Sequence, residues 1–348
     1  MRAPITLDQH LENWAQDDGR AAVAKTVCAL ADAGQTISEL VGRGPLAGSM
    51  GAIVGDNADG DTQKELDRLA NDCVIAALNR APVAYIASEE LEDAVATGHE
   101  DAPLCVAIDP LDGSSNIETN VSVGTIFSVL PRVENTTDSI CRQFFQPGSS
   151  QLAAGYLIYG PHTALVLTVG EGTHIFTLDR DDGAYKLTKA HVRVPDSTSE
   201  FAINMSNYRH WDDELRTYID DCLAGADGAR GKNFNTRWIA SMVAECHRIL
   251  RRGGIYLYPK DARPGYGEGR LRLVYEGNPI AFLMTEAGGS ATTGHDPILD
   301  LVPTDIHQRV PLIFGSAAEV QVVRGYLDVM ASVGMRSPLF GRRGLFRT

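Results

Sequence analysis

The hydrophobic period of this chain changes twice along its length, and that pattern limits the folds open to it. Over the first 45 residues apolar side chains recur at helical spacing: Leu7, Leu11 and Trp14 make one face, and Val23, Val27 and Leu30 continue it. Gly42, Gly44, Pro45 and Gly48 then break the pattern. A second helix is expected from near Gly60, with Thr62 and Glu65 as a capping box and Leu66, Leu69, Cys73 and residues 75–77 as its apolar face. From Val83 the period shortens. Residues 83–87, 104–108 and 124–130 are β-branched runs bounded by acids, Pro and Gly, and 153–159, 164–169 and 173–178 follow at hairpin spacing as an antiparallel meander. The polar, turn-rich stretch 133–150 reads as a surface loop.

Beyond Pro195 strands and helices alternate. Strands are expected at 201–204, 255–258, 271–275 and 312–314, and helices at 212–222, 236–251, 279–287 and 317–333. The order predicts an α/β layered protein with a seam near 195. Residues 1–195 form an N-terminal α+β half with an antiparallel sheet, 196–335 a C-terminal α/β half, and 336–348 a basic, solvated tail carrying Arg336, Arg342, Arg343 and Arg347.

Charge narrows the partners. With 31 Lys+Arg against 45 Asp+Glu the formal charge is −14, which disfavours nucleic acid and anionic membranes. The N-terminus has no apolar core of a signal peptide, and no run approaches the roughly 20 apolar residues of a membrane span, so a cytoplasmic protein is expected. Six cysteines form no CxxC pair and read as reduced, mostly buried thiols. Cys246 and His247 are neighbours, but adjacent helical residues point about 100° apart, which argues against a nucleophile–base pair.

Acids gather where strands end. Glu89-Glu90 follows one strand, Asp109-Pro110-Leu111-Asp112 another and Glu276 a third, while Asp61 and Asp67 lie around a helix start. Carboxylates brought together there repel one another, and a hard divalent cation such as Mg²⁺ or Mn²⁺ removes that cost. In Asp109-Pro-Leu-Asp-Gly-Ser-Ser-Asn116, Pro110 stiffens the turn, Gly113 lets backbone approach a ligand, and the N–H and hydroxyl groups of Ser114 and Ser115 can cradle a phosphate. Acids, cation and cradle together describe metal-assisted phosphoryl chemistry. Taken alone, the same string is also an Asx-turn at a strand end.

The motifs Gly60-Asp61 to Asp67, Ser88-Glu-Glu90, Asp109 to Asn116, Val121-Ser-Val-Gly-Thr-Ile-Phe127 and Ala153-Ala-Gly-Tyr156 run in order with Ser241-Met-Val-Ala244, Gly253 to Pro259, Leu271 to Pro279 and Pro303-Thr-Asp-Ile-His-Gln-Arg309. In these the chain closely resembles class I fructose-1,6-bisphosphatase, within the inositol-monophosphatase-like, lithium-sensitive phosphatase superfamily. The resemblance implies stacked α/β/α/β/α layers, a homotetramer and two or more Mg²⁺ per site, with Mn²⁺ an alternative. It implies metal ligands at Glu89, Glu90, Asp109, Asp112 and Glu276 with the Leu111 carbonyl, and catalytic roles for Asp67, Glu90 and Asp61, of which Asp67 and Glu90 deprotonate the attacking water. It places the 1-phosphate at Asp112, Gly113, Ser114 and Ser115. The sugar and 6-phosphate fall against Asn204, Tyr208, Met242, Tyr258 and Arg270, with Arg237 reaching a neighbouring subunit's site. The implied reaction is Mg²⁺-dependent hydrolysis of the 1-phosphate of fructose 1,6-bisphosphate.

Departures cluster around the distal phosphate. Arg270 stands where the family usually has Lys, and Arg237-Trp238 replaces Arg-Tyr. They leave open a bifunctional fructose-1,6-/sedoheptulose-1,7-bisphosphatase. The animal-type AMP contacts are missing: the region reads Asp32-Ala-Gly-Gln-Thr-Ile-Ser-Glu39, with Pro103-Leu104 in place of a Lys-Tyr pair, so the regulatory region reads as vestigial. A non-catalytic phosphosugar sensor is the rival class; the complete carboxylate set argues against it. His295 and His307 fall in turns or strand starts and read as structural hydrogen-bonding groups.

Overall fold

The computed structural model describes residues 4–47, 51–56, 62–134 and 139–334. Helix α1 (Leu7–Trp14) opens with a capping box: the Thr6 hydroxyl accepts the Gln9 N–H and the Gln9 side chain accepts the Thr6 N–H. The Asp17 carboxylate accepts the Arg20 N–H at 2.8 Å and starts α2 (Asp18–Arg43). The cap expected at Thr62 is not used. Thr62–Lys64 is instead a short strand paired with Ile53–Asp56, and α3 (Glu65–Leu78) begins after it.

An eight-stranded sheet lies under these helices, in the order Tyr185–Val192, Thr173–Leu178, Thr163–Thr168, Ala153–Tyr159, Val123–Pro131, Leu104–Asp112, Val83–Ser88, Val95–Ala96. Neighbours are antiparallel except Val83–Ser88 with Leu104–Asp112, which run parallel. That one parallel pair brings both acid-bearing strand ends to the same edge. Tyr185–Val192 is an edge strand that the sequence pattern did not reveal. Its ends are buried and its middle is exposed, so it carries no hydrophobic alternation.

The rest of the chain adds α4 (Asp213–Ala224), α5 (Met242–Arg252), α6 (Asn278–Glu286) and α7 (Ala317–Gly334). A second sheet runs in the order Asn235–Thr236, Glu200–Ala202, Ile255–Tyr258, Leu312–Gly315, Ser290–Thr292. Strand alternation then builds the layers. Phe127, Leu157 and Leu165 of the first sheet pack with Val27, Leu30 and Leu66 of α2 and α3. Ile126, Tyr156 and Val166, on the opposite face, pack with Val243 and Ile249 of α5, Leu283 of α6, and Tyr256 and Phe314 of the second sheet. Ile255, Leu257 and Ile313 face outward onto Leu215 and Tyr218 of α4 and Val320 of α7. The result is an α/β/α/β/α sandwich. Each fully buried Leu, Ile or Phe contributes on the order of 1.5–3 kcal/mol.

Three expectations are corrected here. Residues 271–275 are not one strand: only Leu271–Arg272 pairs, with Arg309–Val310, and Leu273–Gly277 coils into a π-helical turn that runs into α6. The helix expected from 236 starts at Met242, because Asn235–Thr236 extends the sheet, Ala240 takes a left-handed conformation (φ 60°) and the Ser241 hydroxyl caps α5. The stretch 133–150 is not wholly a surface loop. Gln143 clips both the N–H and the C=O of Val133, and Phe144 is buried against Leu130 and Cys105; residues 135–138 lie outside the described set.

Candidate active site

The strand Leu104–Asp112 is buried along its whole length and delivers Asp109 and Asp112 to one end. Asp109 accepts the Leu111 N–H at 3.0 Å, which closes the turn around Pro110. The π-helical turn brings Glu276 to them from the C-terminal part of the chain. Each of Asp109, Asp112 and Glu276 offers a carboxylate oxygen within 4.8 Å of the others, and all three are buried. Glu89 lies close enough to act electrostatically on all three, and Glu90 on Asp109. Arg272, only 4% exposed, approaches this group: its Nη2 is 3.5 Å from Glu89 Oε1, and its backbone N–H donates to Glu276 Oε2 at 2.5 Å.

The electrostatics ask for a cation. Burial first, then the charges of Glu89, Asp112 and Glu276, hold the Asp109 carboxyl well above the usual carboxylate range. Burial and Glu89 do the same to Glu276. Burial pushes Asp112 up to about 6, with the Val243 N–H pulling the other way and Glu89 adding to the rise. Several buried anions facing one arginine fit a hard divalent cation held by oxygen ligands.

Asp67 sits at the third position of α3 and is 2% exposed. Its Oδ2 accepts the Lys64 N–H at 2.8 Å, while Oδ1 is buried without a hydrogen bond of ordinary geometry. Burial raises its carboxyl to about 6, against the pull of the Lys64 N–H, and the charge of Glu89 adds to the rise. Asp61 lies outside the described residues.

Beside the acids, Gly113 takes φ 77° and starts the short helix Ser114–Thr119. The Lys64 ammonium donates to the Ser114 carbonyl at 3.1 Å, and the Asn116 amide donates to the Ala240 carbonyl at 2.7 Å. These bonds fix the Gly113–Ser115 segment from two sides. A Cβ on Gly113 would meet Ser241, the cap of α5, at an ordinary contact distance of 3.5 Å, so it is the left-handed backbone and not crowding that favours glycine there. A small cleft is lined by Asn204, Asn207, Tyr258 and Asp261, and the charges of Arg270 and Glu276 both reach the Tyr258 hydroxyl. Arg270 also lies over the Tyr266 ring, at 4.8 Å.

Comparison with known proteins places this arrangement. The profile described as "Fructose-1-6-bisphosphatase, N-terminal domain" matches residues 5–190, and "Fructose-1-6-bisphosphatase, C-terminal domain" matches 194–328. The chain is 54% identical over 347 residues to the "Fructose-1,6-bisphosphatase class 1" of Rhodopseudomonas palustris strain BisB5, covering 99% of each. It is 56% identical over 343 residues to the "Fructose-1,6-bisphosphatase class 1 1" of Xanthobacter autotrophicus strain Py2, covering 98% of this chain and 92% of the relative. Among solved structures, holo Leishmania major fructose-1,6-bisphosphatase superposes with TM-score 0.87 at 36% identity, covering 93% of this chain and 99% of that one. The chain belongs to the class 1 fructose-1,6-bisphosphatase family.

Within that family frame, the expected residues divide by where they lie. Asp67, Glu89, Glu90, Asp109, Asp112 and Glu276 converge, Gly113–Ser115 adjoin them, and Met242 is the buried first residue of α5. Tyr208 turns its hydroxyl to both oxygens of Asp220, at 2.8 and 2.9 Å. Arg237 is half exposed and lies 3.7 Å from Glu200. The sequence reading gives no role to Lys64, Asn116, Ser241 or Arg272, which hold the segments of the site in place. Their roles run through backbone groups or through contacts distant in sequence, which no local pattern encodes. All six cysteines are unpaired. No described helix is long and apolar enough to cross a membrane.

Proposed function

We propose that this chain catalyses Mg²⁺-dependent hydrolysis of the 1-phosphate of fructose 1,6-bisphosphate, giving fructose 6-phosphate and phosphate. The observation that carries the reading is the convergence of Asp109, Asp112 and Glu276 within 4.8 Å beside the Gly113–Ser115 segment, in a chain of this family. Glu89, Glu90, Asp109, Asp112, Glu276 and the Leu111 carbonyl would hold two or more Mg²⁺, or Mn²⁺. Such cations supply charge neutralisation at the phosphoryl oxygens and a more acidic water.

The chain's own residues do the rest. Gly113, Ser114 and Ser115 seat the 1-phosphate with backbone N–H and hydroxyl donors, and Ser114 is a contact and not a nucleophile. Water attacks phosphorus in line: one P–O bond forms, the bond to the sugar's C1 oxygen breaks, and that oxygen takes up a proton from solvent to leave as a hydroxyl. Asp67, with Glu90, takes the water's proton; a carboxyl near 6 is matched to that task at neutral pH. Asp61 is assigned beside them. Asn204, Tyr208, Met242, Tyr258 and Arg270 hold the sugar and its 6-phosphate, and Arg237 serves a neighbouring subunit of a homotetramer. Residues 1–195 carry the acids of the first half and 196–335 most of the sugar contacts, in a cytoplasmic enzyme.

The test is phosphate release from fructose 1,6-bisphosphate, sedoheptulose 1,7-bisphosphate and inositol phosphate, with Mg²⁺ and with chelator, for wild type and Glu90→Gln. Preference for the first substrate, loss of release with chelator and a slow Glu90→Gln variant are expected. Equal release with chelator overturns the metal requirement. Comparable rates on the seven-carbon substrate identify a bifunctional enzyme, and absence of all turnover a sensor.

A further inference from the structure

One imidazole joins the two turns that carry the acids. The Glu89–Glu90 turn leaves strand Val83–Ser88 and is fixed at its start by buried groups. The Glu89 N–H donates to the Ile108 carbonyl at 3.0 Å, the Glu90 N–H to the Ser88 hydroxyl at 3.3 Å, and that hydroxyl donates to Asn71 Oδ1 of α3 at 2.7 Å. Its far end is held from elsewhere. His307 Nε2 is 3.2 Å from the Glu92 carbonyl, across 215 residues of sequence.

His307 belongs to a loop tied to the Glu276 turn. The Leu273 N–H, at the start of the π-helical turn, donates to the Gln308 carbonyl at 2.8 Å, and Arg309–Val310 pairs with Leu271–Arg272. The His307 ring packs on Tyr275, the buried neighbour of Glu276, with centroids 5.5 Å apart. The loop is stiffened internally by the His307 N–H to Asp305 at 2.7 Å and the Thr304 N–H to Gln308 at 2.8 Å. A carbonyl accepts only, so Nε2 carries the proton. The buried Nδ1 has no hydrogen-bond partner.

We infer that His307 is a positioning residue: by bonding the Glu92 carbonyl while seated on Tyr275, it sets the spacing between the Glu89–Glu90 turn and Glu276, and with it the affinity for the divalent cation. The inference rests on reading the carboxylate cluster as a metal centre. Groups that orient metal ligands without touching the ion typically change affinity by roughly 10–100-fold when lost.

The experiment is direct Mn²⁺ binding, by calorimetry and by the loss of the free-ion magnetic resonance signal, with thermal melting as the folding control. It compares wild type, His307→Leu and His307→Gln, and adds the Mg²⁺ concentration for half-maximal activity. His307→Leu fills the space without a donor, and Mn²⁺ binding is expected to weaken roughly 10–100-fold. His307→Gln keeps an N–H at similar reach and is expected to recover most of the affinity. The half-activating Mg²⁺ concentration is expected to rise in parallel. Wild-type affinity in a folded His307→Leu overturns the inference alone, as does a glutamine variant no better than leucine. Wild type that binds no Mn²⁺ overturns the metal-centre reading and the inference with it. If the leucine variant does not fold, His307→Asn, whose amide is too short to reach Glu92, takes its place under the same criteria.

Discussion

The Asp112 carboxylate accepts the Val243 backbone N–H at 2.9 Å across 131 residues of sequence. An acid delivered by the first sheet thus also satisfies an otherwise free donor at the start of α5, where a negative charge is favoured by the helix dipole. The two roles can be separated. Asp112→Asn keeps an acceptor and removes the charge; Asp112→Ala removes both. We expect kcat to fall by about 10²–10³-fold in both, while only the alanine variant loses a further ~1 kcal/mol of stability in urea unfolding. Equal stability of the two variants would show that the contact with α5 contributes nothing.

Asp109 should behave in opposite ways with and without metal. Burial and its acidic neighbours disfavour its charge, so Asp109→Asn relieves repulsion in the metal-free protein. Differential scanning calorimetry in chelator is expected to show a Tm raised by about 1–2 °C, equivalent to about 1 kcal/mol for a chain of this length. In Mg²⁺ the wild type is expected to gain stability through binding, and the variant's advantage to vanish. A lower metal-free Tm for the variant would contradict the repulsion argument.

Gly124 lies opposite Asp112 in the sheet, and a Cβ there would stand 2.2 Å from the Leu157 carbonyl and 2.7 Å from the Val243 side chain. Backbone cannot move aside as a flexible side chain can. Gly124→Ala is expected to cost about 1–3 kcal/mol, from overpacking, and to raise the metal requirement by displacing α5 from Asp112. An unchanged unfolding midpoint would refute the clash.

His247 of α5 shares a hydrogen bond with the Tyr156 hydroxyl through Nδ1, 3.2 Å away, and burial, then the charges of His162 and Arg251, lower its pKa to about 4. The unfolded chain takes up this proton near 6.5, the folded chain only near 4. Stability from keeping the ring neutral is therefore complete above about pH 6.5 and is lost as pH falls from there to about 4. The raised carboxyls act with the opposite sign, so the test is the difference between wild type and His247→Gln. Urea unfolding at pH 7 and pH 5 should show the wild type losing more stability than the variant. Parallel slopes would assign the acid sensitivity elsewhere.

Glu89, Glu90, Asp109 and Asp112 stand out in the sequence because they follow β-branched runs, and a strand end fixes what comes next; Asp67 instead lies in the first turn of α3. Glu276 is expected at the end of a strand and lies instead in the π-helical turn Leu273–Gly277. Apart from Arg272 the run Leu271–Tyr275 is apolar, and it is buried from Arg272 onward; such a run fits a strand or a coil equally well, since burial from all sides erases the period. The alternation after Pro195 carries the α/β class, while the order of the stacked layers came from the family resemblance. The strand Tyr185–Val192 was not legible, because an exposed edge carries hydrogen bonds without apolar pattern. The cap at Thr62 failed for a different reason: residues 62–64 pair with Ile53–Asp56, and that long-range pairing outweighs a local capping preference.

The wide turn at Leu273–Gly277 makes chain length there as important as charge. A helix advances about 100° per residue. Deleting one position between 273 and 275 would relax the wide turn to ordinary helix, and the carboxylate of Glu276 would swing toward α6 while every acid remained in the chain. Such a protein would keep its acids and its layers, and it is expected to lose the convergence of Glu276 with Asp109 and Asp112.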